Sequence, residues 1–328
     1  MEDRQTILSI RNLSIEFVHR KGNLQAIRDV SFDMYQGEIL GVVGESGAGK
    51  SLTGSAITGL LEHPGRIKSG SIHANGRRID NLDEEARRQM RGKEIAAIFQ
   101  DPLTSLNPVL TIGEQLIETI QTHLPLSENE AREKAVNLMK EVGIPAAEQR
   151  IDQYPHQFSG GMRQRIVIAL ALCVDPQIII ADEPTTALDV SVQSQVLQLL
   201  KRLCKQHGAT VMLVTHDMGV IAEVCDRVAV MYAGKLVELG SVRDVLKRPQ
   251  HPYTIGLMNS IPRIGEKKRW LEQIPGAMPR LNALPDGCKF HPRCTHCQAG
   301  CLSSEPELNL TGASAVACLF PQNQHEAA

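Results

Sequence analysis

Gly44-Glu45-Ser46-Gly47-Ala48-Gly49-Lys50-Ser51 is the stretch on which the reading of this chain turns. It has the form G-x-x-x-x-G-K-S, the pattern of a phosphate-binding loop. The apolar run Ile39-Leu40-Gly41-Val42-Val43 precedes it and predicts a buried strand; residues 52–61 predict a helix. That strand–loop–helix setting gives the pattern its meaning. Glycines let backbone N–H groups close around phosphate oxygens, and the helix N-terminus adds positive potential. Lys50 is expected to reach the outer phosphates and Ser51 to place its hydroxyl on Mg²⁺. A glycine-rich turn that binds nothing would have no use for Lys-Ser at the start of a helix.

Outward from the loop, the chain alternates. Residues 8–18 and 27–35 read as half-buried strands on either side of a Gly22-Asn23 turn. Residues 69–79 hold a further strand with an Asn75-Gly76 hairpin signal. Residues 82–91 read as an exposed, charged helix, and Ile95-Ala96-Ala97-Ile98-Phe99-Gln100 as a strand ending on a polar residue. Asp101-Pro102 and Leu106-Asn107-Pro108 predict loop. Helical periodicity follows at 112–123 and 128–142, the latter with a Ser127/Glu130 capping box, and again at 160–173. This block reads as a helical subdomain, about 101–175, inserted into an α/β pattern. Strand–helix alternation resumes at 177–182, 192–205 and 210–215, and a hairpin is expected about Ala233-Gly234. Such alternation implies a parallel sheet covered by helices. After Pro249 prolines recur, and 250–328 reads as a loop-rich extension to a domain spanning 1–249.

Composition excludes several function classes. The chain has 328 residues, 42% of them apolar, which suffices for a large core. Its net charge of −2 offers no electrostatic case for binding nucleic acid or a membrane surface. With aromatics at 3%, base-stacking platforms are not expected. No apolar run approaches the roughly 20 residues of a membrane span. Met1-Glu2-Asp3-Arg4-Gln5 lacks the basic flank and apolar core of a secretory signal, so a cytosolic chain is expected. Of eight cysteines, Cys173, Cys204 and Cys225 lie in apolar surroundings, whereas Cys288, Cys294, Cys297, Cys301 and Cys318 crowd the final segment. In a cytosolic chain such crowding points to metal before disulfides.

Three further positions carry chemistry. Asp182-Glu183 ends an apolar strand, where one acid can support Mg²⁺ and the next can polarise a water for attack on a γ-phosphate. Ser159-Gly160-Gly161 opens a helix and makes either a second anion site or only a tight turn. A dimer with nucleotide between its subunits would explain two anion sites in one chain. His216 follows the strand at 210–215.

Taken in order, residues 44–51, Gln100, Ser159-Gly160-Gly161-Met162-Arg163-Gln164-Arg165, Asp182-Glu183-Pro184, Ala187-Leu188-Asp189 and His216 resemble an ATP-binding cassette (ABC) transporter ATPase over roughly residues 8–240. The resemblance implies a P-loop NTPase core with an antiparallel β-subdomain and an inserted helical subdomain. It implies that residues 44–51, with Leu52, bind ATP. Ser51, Gln100 and Asp182 serve Mg²⁺, Glu183 is the general base, and His216 contacts the γ-phosphate. Gln100 also relays to membrane subunits. Ser159, Gly160, Gly161 and Met162 complete the nucleotide site of a partner subunit. Met162 stands where the family commonly has Gln. Phe17 matches the adenine-stacking aromatic and equally suits a core position.

Gln100-Asp101-Pro102-Leu103-Thr104-Ser105-Leu106-Asn107-Pro108, His251-Pro252-Tyr253-Thr254 and Pro292-Arg293-Cys294 resemble the oligopeptide/dipeptide/nickel importer branch, most of all its dipeptide-importer D-type ATPases. That implies a peripheral subunit at the cytoplasmic face of the inner membrane. Its implied partners are a second ABC ATPase subunit, a different chain ahead of a copy of this one, two transmembrane permease subunits and an extracytoplasmic substrate-binding protein. Cys288, Cys294, Cys301 and Cys318 follow C-x5-C-x6-C-x16-C, which in this branch is associated with a [4Fe–4S] cluster. Four thiolates also suit Zn²⁺, for which His291 and His296 add ligands, and Cys297 is a spare or a substitute. Iron–sulfur ranks first, zinc second and unligated thiols third. The transported solute is a peptide in the first reading; nickel or another small solute is the alternative. A soluble cassette ATPase acting on DNA or ribosomes would usually carry two cassettes, coiled coils or basic surfaces, none of which occurs here. A regulatory subunit with a dead site would not retain Lys50, Asp182, Glu183 and His216.

Overall fold

The computed structural model describes residues 5–20, 22–186, 188–261, 273–311 and 314–322. The chain forms two compact units. One comprises residues up to Ile7, Tyr35–Glu38 and Asn81–Leu213; the other comprises Leu8–Met34, Ile39–Asp80 and residues from Val214 onward.

The chain enters the second unit within its first strand. β1 (Thr6–Phe17) and β2 (Leu24–Tyr35) begin an antiparallel sheet. β3 (Ile39–Val43), buried throughout, leads through the phosphate loop into α1 (Lys50–Thr58). The helix starts two residues before the sequence-based expectation and stops three short of it. Gly49 at φ 104° and Gly59 at φ 68° cap its two ends, and only glycine adopts that backbone without cost. β4 (Gly65–Ala74) and β5 (Arg77–Arg78) complete the sheet in the order β2-β1-β4-β5. Asn75 and Gly76, both at positive φ, make the expected tight turn between them. The strict alternation read over 8–18 is interrupted: register shifts between Arg11 and Ile15 leave Leu13, Ser14 and Ile15 consecutively buried.

The first unit begins with α2 (Glu84–Met90), capped by the Asp83 side chain, and β6 (Ile95–Ile98). Residues 101–108, expected as loop, contain one helical turn, α3 (Pro102–Ser105). Asp101 accepts the Leu103 N–H, its carbonyl accepts the Thr104 and Ser105 hydroxyls, and Pro102 presets the first φ. α4 (Ile112–His123) and α5 (Glu128–Glu141) each start on a capping box, Thr111/Glu114 and Ser127/Glu130. α6 (Ala147–Arg150) precedes α7 (Gly160–Leu172), which is largely buried around its circumference. β7 (Ile178–Asp182) pairs with β6 in parallel, as the alternation predicted. α8 (Val190–His207) and β8 (Thr210–Thr215) follow, and the chain passes to the second unit within β8.

There α9 (Met218–Val224) leads into β9 (Arg227–Tyr232), which pairs with β3 in parallel. β9 turns through Ala233-Gly234 into antiparallel β10 (Lys235–Ser241). α10 (Val242–Lys247) and α11 (Pro252–Asn259) follow. The extension past 250 then holds α12 (Ala299–Ser303), β11 (Asn309–Thr311) and β12 (Ser314–Val316). It is loop-rich as expected, but β12 pairs with β10, so the extension adds strands to the same sheet as the phosphate-loop strand. Glu305 ties it down further, accepting from Arg28 at 2.9 Å and Lys235 at 3.2 Å. Among the described residues no helix is long and apolar enough to cross a membrane.

Candidate nucleotide and thiol sites

The phosphate loop sits between a rigid strand and a helix start. Ala48 is fully buried and its N–H donates to the Glu45 carbonyl, while Ser46, Gly47 and Ser51 face solvent. Two glycines leave no room for a side chain. A Cβ on Gly44 would run into the Met231 carbonyl, and one on Gly49 into Ile27. Gly47, at φ 84°, has open space where its Cβ would be, which is what close approach of a phosphate requires. Lys50 is buried, and its ammonium donates to the carbonyls of Gly44 at 2.8 Å and Glu45 at 3.2 Å. The cation is thus held at the mouth of the loop, where a phosphate can take over as acceptor. Leu52 lies half-buried on α1.

In the same unit Phe17 ends β1 opposite Gly65, with its ring half-exposed and outside the buried core. His216 is exposed directly after β8. Asp217, beside it, caps α9 by accepting the Gly219 N–H at 2.7 Å, so the His216 backbone is fixed from its C-terminal side.

The first unit carries Asp182, Glu183 and Gln100. Asp182 ends β7, and Glu183 follows at φ 44°, a left-handed conformation that costs a non-glycine residue about 1–2 kcal/mol. The surrounding hydrogen bonds hold it there. Thr186 Oγ1 donates to the Glu183 carboxylate at 2.9 Å, and Gln100 Nε2 donates to the same oxygen at 3.4 Å. The structure therefore brings Gln100 and Glu183 together, although they lie far apart in sequence.

Ser159 caps α7, its Oγ accepting the Met162 N–H at 3.4 Å, and Gly160 is exposed. A Cβ on Gly161 would strike Val192. Met162 replaces the amide of Gln with a sulfur that accepts from Arg150 at 3.8 Å, so the position stays tethered. Of the Ala187-Leu188-Asp189 motif, Ala187 lies outside the described residues. Leu188 N–H donates to the Thr185 carbonyl at 3.0 Å.

Cys288, Cys294, Cys301 and Cys318 line one cavity in the second unit, together with His291 and His296. Cys301 is buried and the other three half-buried. Burial pushes the Cys318 thiol up to about 11 and raises Cys288 and Cys294 as well. Cys297 is exposed and not part of the cavity wall. The donor set is the soft one that iron–sulfur clusters and zinc use. No three His, Cys, Asp or Glu among the described residues stand in the mutual arrangement of a bound metal ion.

Sequence reasoning missed the residues that hold the site. Arg150 on Met162, and Tyr253 and Arg293 on Glu45 make contacts that no local pattern reveals. The last two lie in His251-Pro252-Tyr253 and Pro292-Arg293-Cys294, which the sequence offers only as marks of a branch.

Comparison with known proteins agrees with this geometry. The ABC transporter family matches residues 27–186, and the oligopeptide/dipeptide transporter C-terminal region matches residues 237–301. The dipeptide transport ATP-binding protein DppD of Haemophilus influenzae is 43% identical over 97% of this chain and 96% of its own. The oligopeptide transport ATP-binding protein OppD of Escherichia coli is 45% identical over 98% of this chain and 95% of its own. The solved dimeric post-hydrolysis structure of the ATP-binding cassette MJ0796, bound to ADP and Pi, superposes with a TM-score of 0.65 at 28% identity. It covers 72% of this chain and 99% of that one. Identity of this order along nearly the full length of both chains places the protein among the ABC transporter ATPases, in the oligopeptide/dipeptide importer family.

Proposed function

We propose that the chain is the ATP-binding and hydrolysing subunit of an importer that takes up di- or oligopeptides through separate permease subunits. The observation that carries this reading is the near-full-length relationship to relatives named as dipeptide and oligopeptide transport ATP-binding proteins. Residues 1–249 form the ATPase domain, with a helical subdomain at about 101–175, and 250–328 form the importer-type extension.

In this reading residues 44–52 bind ATP, with Phe17 against the adenine. Ser51, Gln100 and Asp182 serve Mg²⁺, which neutralises charge on the transferring phosphoryl group. Glu183 takes the proton of the attacking water, and His216 contacts the γ-phosphate. Ser159, Gly160, Gly161 and Met162 close the site of a second ABC ATPase, a different chain. Two permeases and an extracytoplasmic binding protein complete the assembly at the cytoplasmic face of the inner membrane. Phe99, Leu103 and Val109, large exposed apolar residues within the ten that flank or follow Gln100 in sequence, support a permease-docking surface in this segment.

For the thiol cavity we propose ligation by Cys288, Cys294, Cys301 and Cys318, with a [4Fe–4S] cluster ahead of Zn²⁺. Such a group would cross-link a proline-rich segment with little core of its own. Anaerobic purification with iron, sulfide and zinc analysis tests this, and absence of all three defeats it.

The assembly is tested by affinity purification of the tagged chain from gently solubilised membranes. Recovery with two multi-span proteins and a second cassette ATPase is expected, and the ligand of the associated binding protein names the solute. Recovery from the soluble fraction alone, or with nucleic acid, would refute transport.

A further inference from the structure

Glu45, the second residue of the phosphate loop, has every polar group engaged, two of them by the C-terminal extension. Its carboxylate is forked by Arg293, Nη1 to Oε2 at 2.9 Å and Nη2 to Oε1 at 3.1 Å. Its N–H donates to the Tyr253 hydroxyl at 2.8 Å. Its carbonyl accepts from Lys50.

The two holding residues are themselves rigidly placed. The Arg293 side chain is 7% exposed, its Nε donates to the Pro275 carbonyl at 2.7 Å, and its guanidinium lies 5.7 Å from the centre of the Tyr232 ring. Tyr253 is fully buried and meets Tyr232 and Phe290 edge-on at ring-centre distances of 4.7 and 5.4 Å.

A bidentate guanidinium–carboxylate pair fixes orientation as well as distance. With the Glu45 side chain 28% exposed, such a pair returns little net stability, so its value lies in specifying one geometry. The geometry specified here is that of Gly44-Glu45-Ser46, where the chain leaves β3 and begins to wrap the phosphates. An extension that needed only an anchor has one already in β12 and Glu305.

We propose that Arg293 and Tyr253 are positioning residues for nucleotide binding: the extension holds Glu45, and with it the phosphate loop, in the shape that accepts ATP. The proposal rests on the reading of residues 44–51 as the ATP site.

The test is the affinity of the purified full-length chain for Mg²⁺ and a non-hydrolysable ATP analogue. If the wild type does not bind, the reading of the site fails and not this inference. With wild-type binding established, Arg293→Gln and Glu45→Gln are each expected to weaken it about 10- to 100-fold. The double variant is expected to be no weaker than either single one, because both remove the same contact. Arg293→Lys restores charge without the fork and is expected to recover part of the loss, which general destabilisation would not produce. Tyr253→Phe removes one hydrogen bond and is expected to cost about three- to tenfold. Unchanged affinity in a folded Arg293→Gln chain overturns the proposal, as do losses that multiply in the double variant. If Arg293→Gln does not fold, Glu45→Gln decides alone, and wild-type affinity there overturns it.

Discussion

Replacing Glu183, the proposed general base, by Gln removes a carboxylate while changing almost nothing else. The amide has the size of the carboxylate, and its oxygen can still accept from Thr186, 2.9 Å away. The backbone at φ 44° is as strained for Gln as for Glu, so the local cost of about 1–2 kcal/mol is unchanged. Gln100 stands at 3.4 Å, a weak bond whose loss is worth under about 1 kcal/mol. Folding stability is therefore expected to move by less than about 1 kcal/mol. ATP affinity is expected to stay within a few-fold, since Lys50 and the loop N–H groups are untouched. Hydrolysis is different. A positioned general base contributes about 10²–10⁴-fold, which at 1.36 kcal/mol per decade is about 3–5 kcal/mol of barrier. The assay is single-turnover hydrolysis in the assembled transporter with the partner ATPase's own site disabled, so that only this carboxylate is read. A loss of two to four decades with unchanged nucleotide affinity is expected. Wild-type turnover would refute the assignment of Glu183 as the base, and lost ATP binding would refute the claim that the amide is a local change.

Lys50→Ala removes a charge-assisted contact to phosphate, worth about 1.5–3 kcal/mol, and is expected to weaken ATP binding about 10- to 150-fold in equilibrium titration. An unaltered dissociation constant would contradict the phosphate role. Native alkylation at pH 8, mapped by mass spectrometry, is expected to modify exposed Cys297 first and to spare Cys173 and Cys204, whose thiols burial pushes up to about 12. Early labelling of either buried thiol would show that their apolar surroundings open in the native state. Burial raises the Asp80 carboxyl, but Arg78 and the Ile72 N–H outweigh it and hold it below the usual carboxylate range. Its stabilisation is thus complete above the unfolded value near about 4 and is lost as pH falls through the folded value. The urea midpoints of wild type and Asp80→Asn are expected to converge on acidification from pH 7 to pH 3, and a gap that persists or widens would reverse the sign of this argument.

The elements that local chemistry specifies were legible in advance. The capping box at Ser127 and Glu130, the Asn75-Gly76 and Ala233-Gly234 turns and the buried strand at 178–182 each depend on a few adjacent residues. Errors came where side chains build structure on their own backbone. The Asp101 side chain and the Thr104 and Ser105 hydroxyls make one helical turn within a stretch whose prolines read as loop. The β1 irregularity likewise follows from pairing with β4, which no single strand declares.

By itself, the sequence determined the phosphate loop. Its glycines need positive φ whatever surrounds them, and its place between an apolar strand and a helix start is a matter of neighbouring residues. It also determined family, through motifs in a fixed order along the chain, in agreement with relatives at 43–48% identity. Only the tertiary structure decided what holds that machinery. Tyr253 meets Glu45 across 208 residues and Arg293 meets it across 248. Contacts of such separation depend on how β10, α11 and the extension fold back in three dimensions, because a hydrogen bond is set by distance in space and leaves no trace in spacing along the chain.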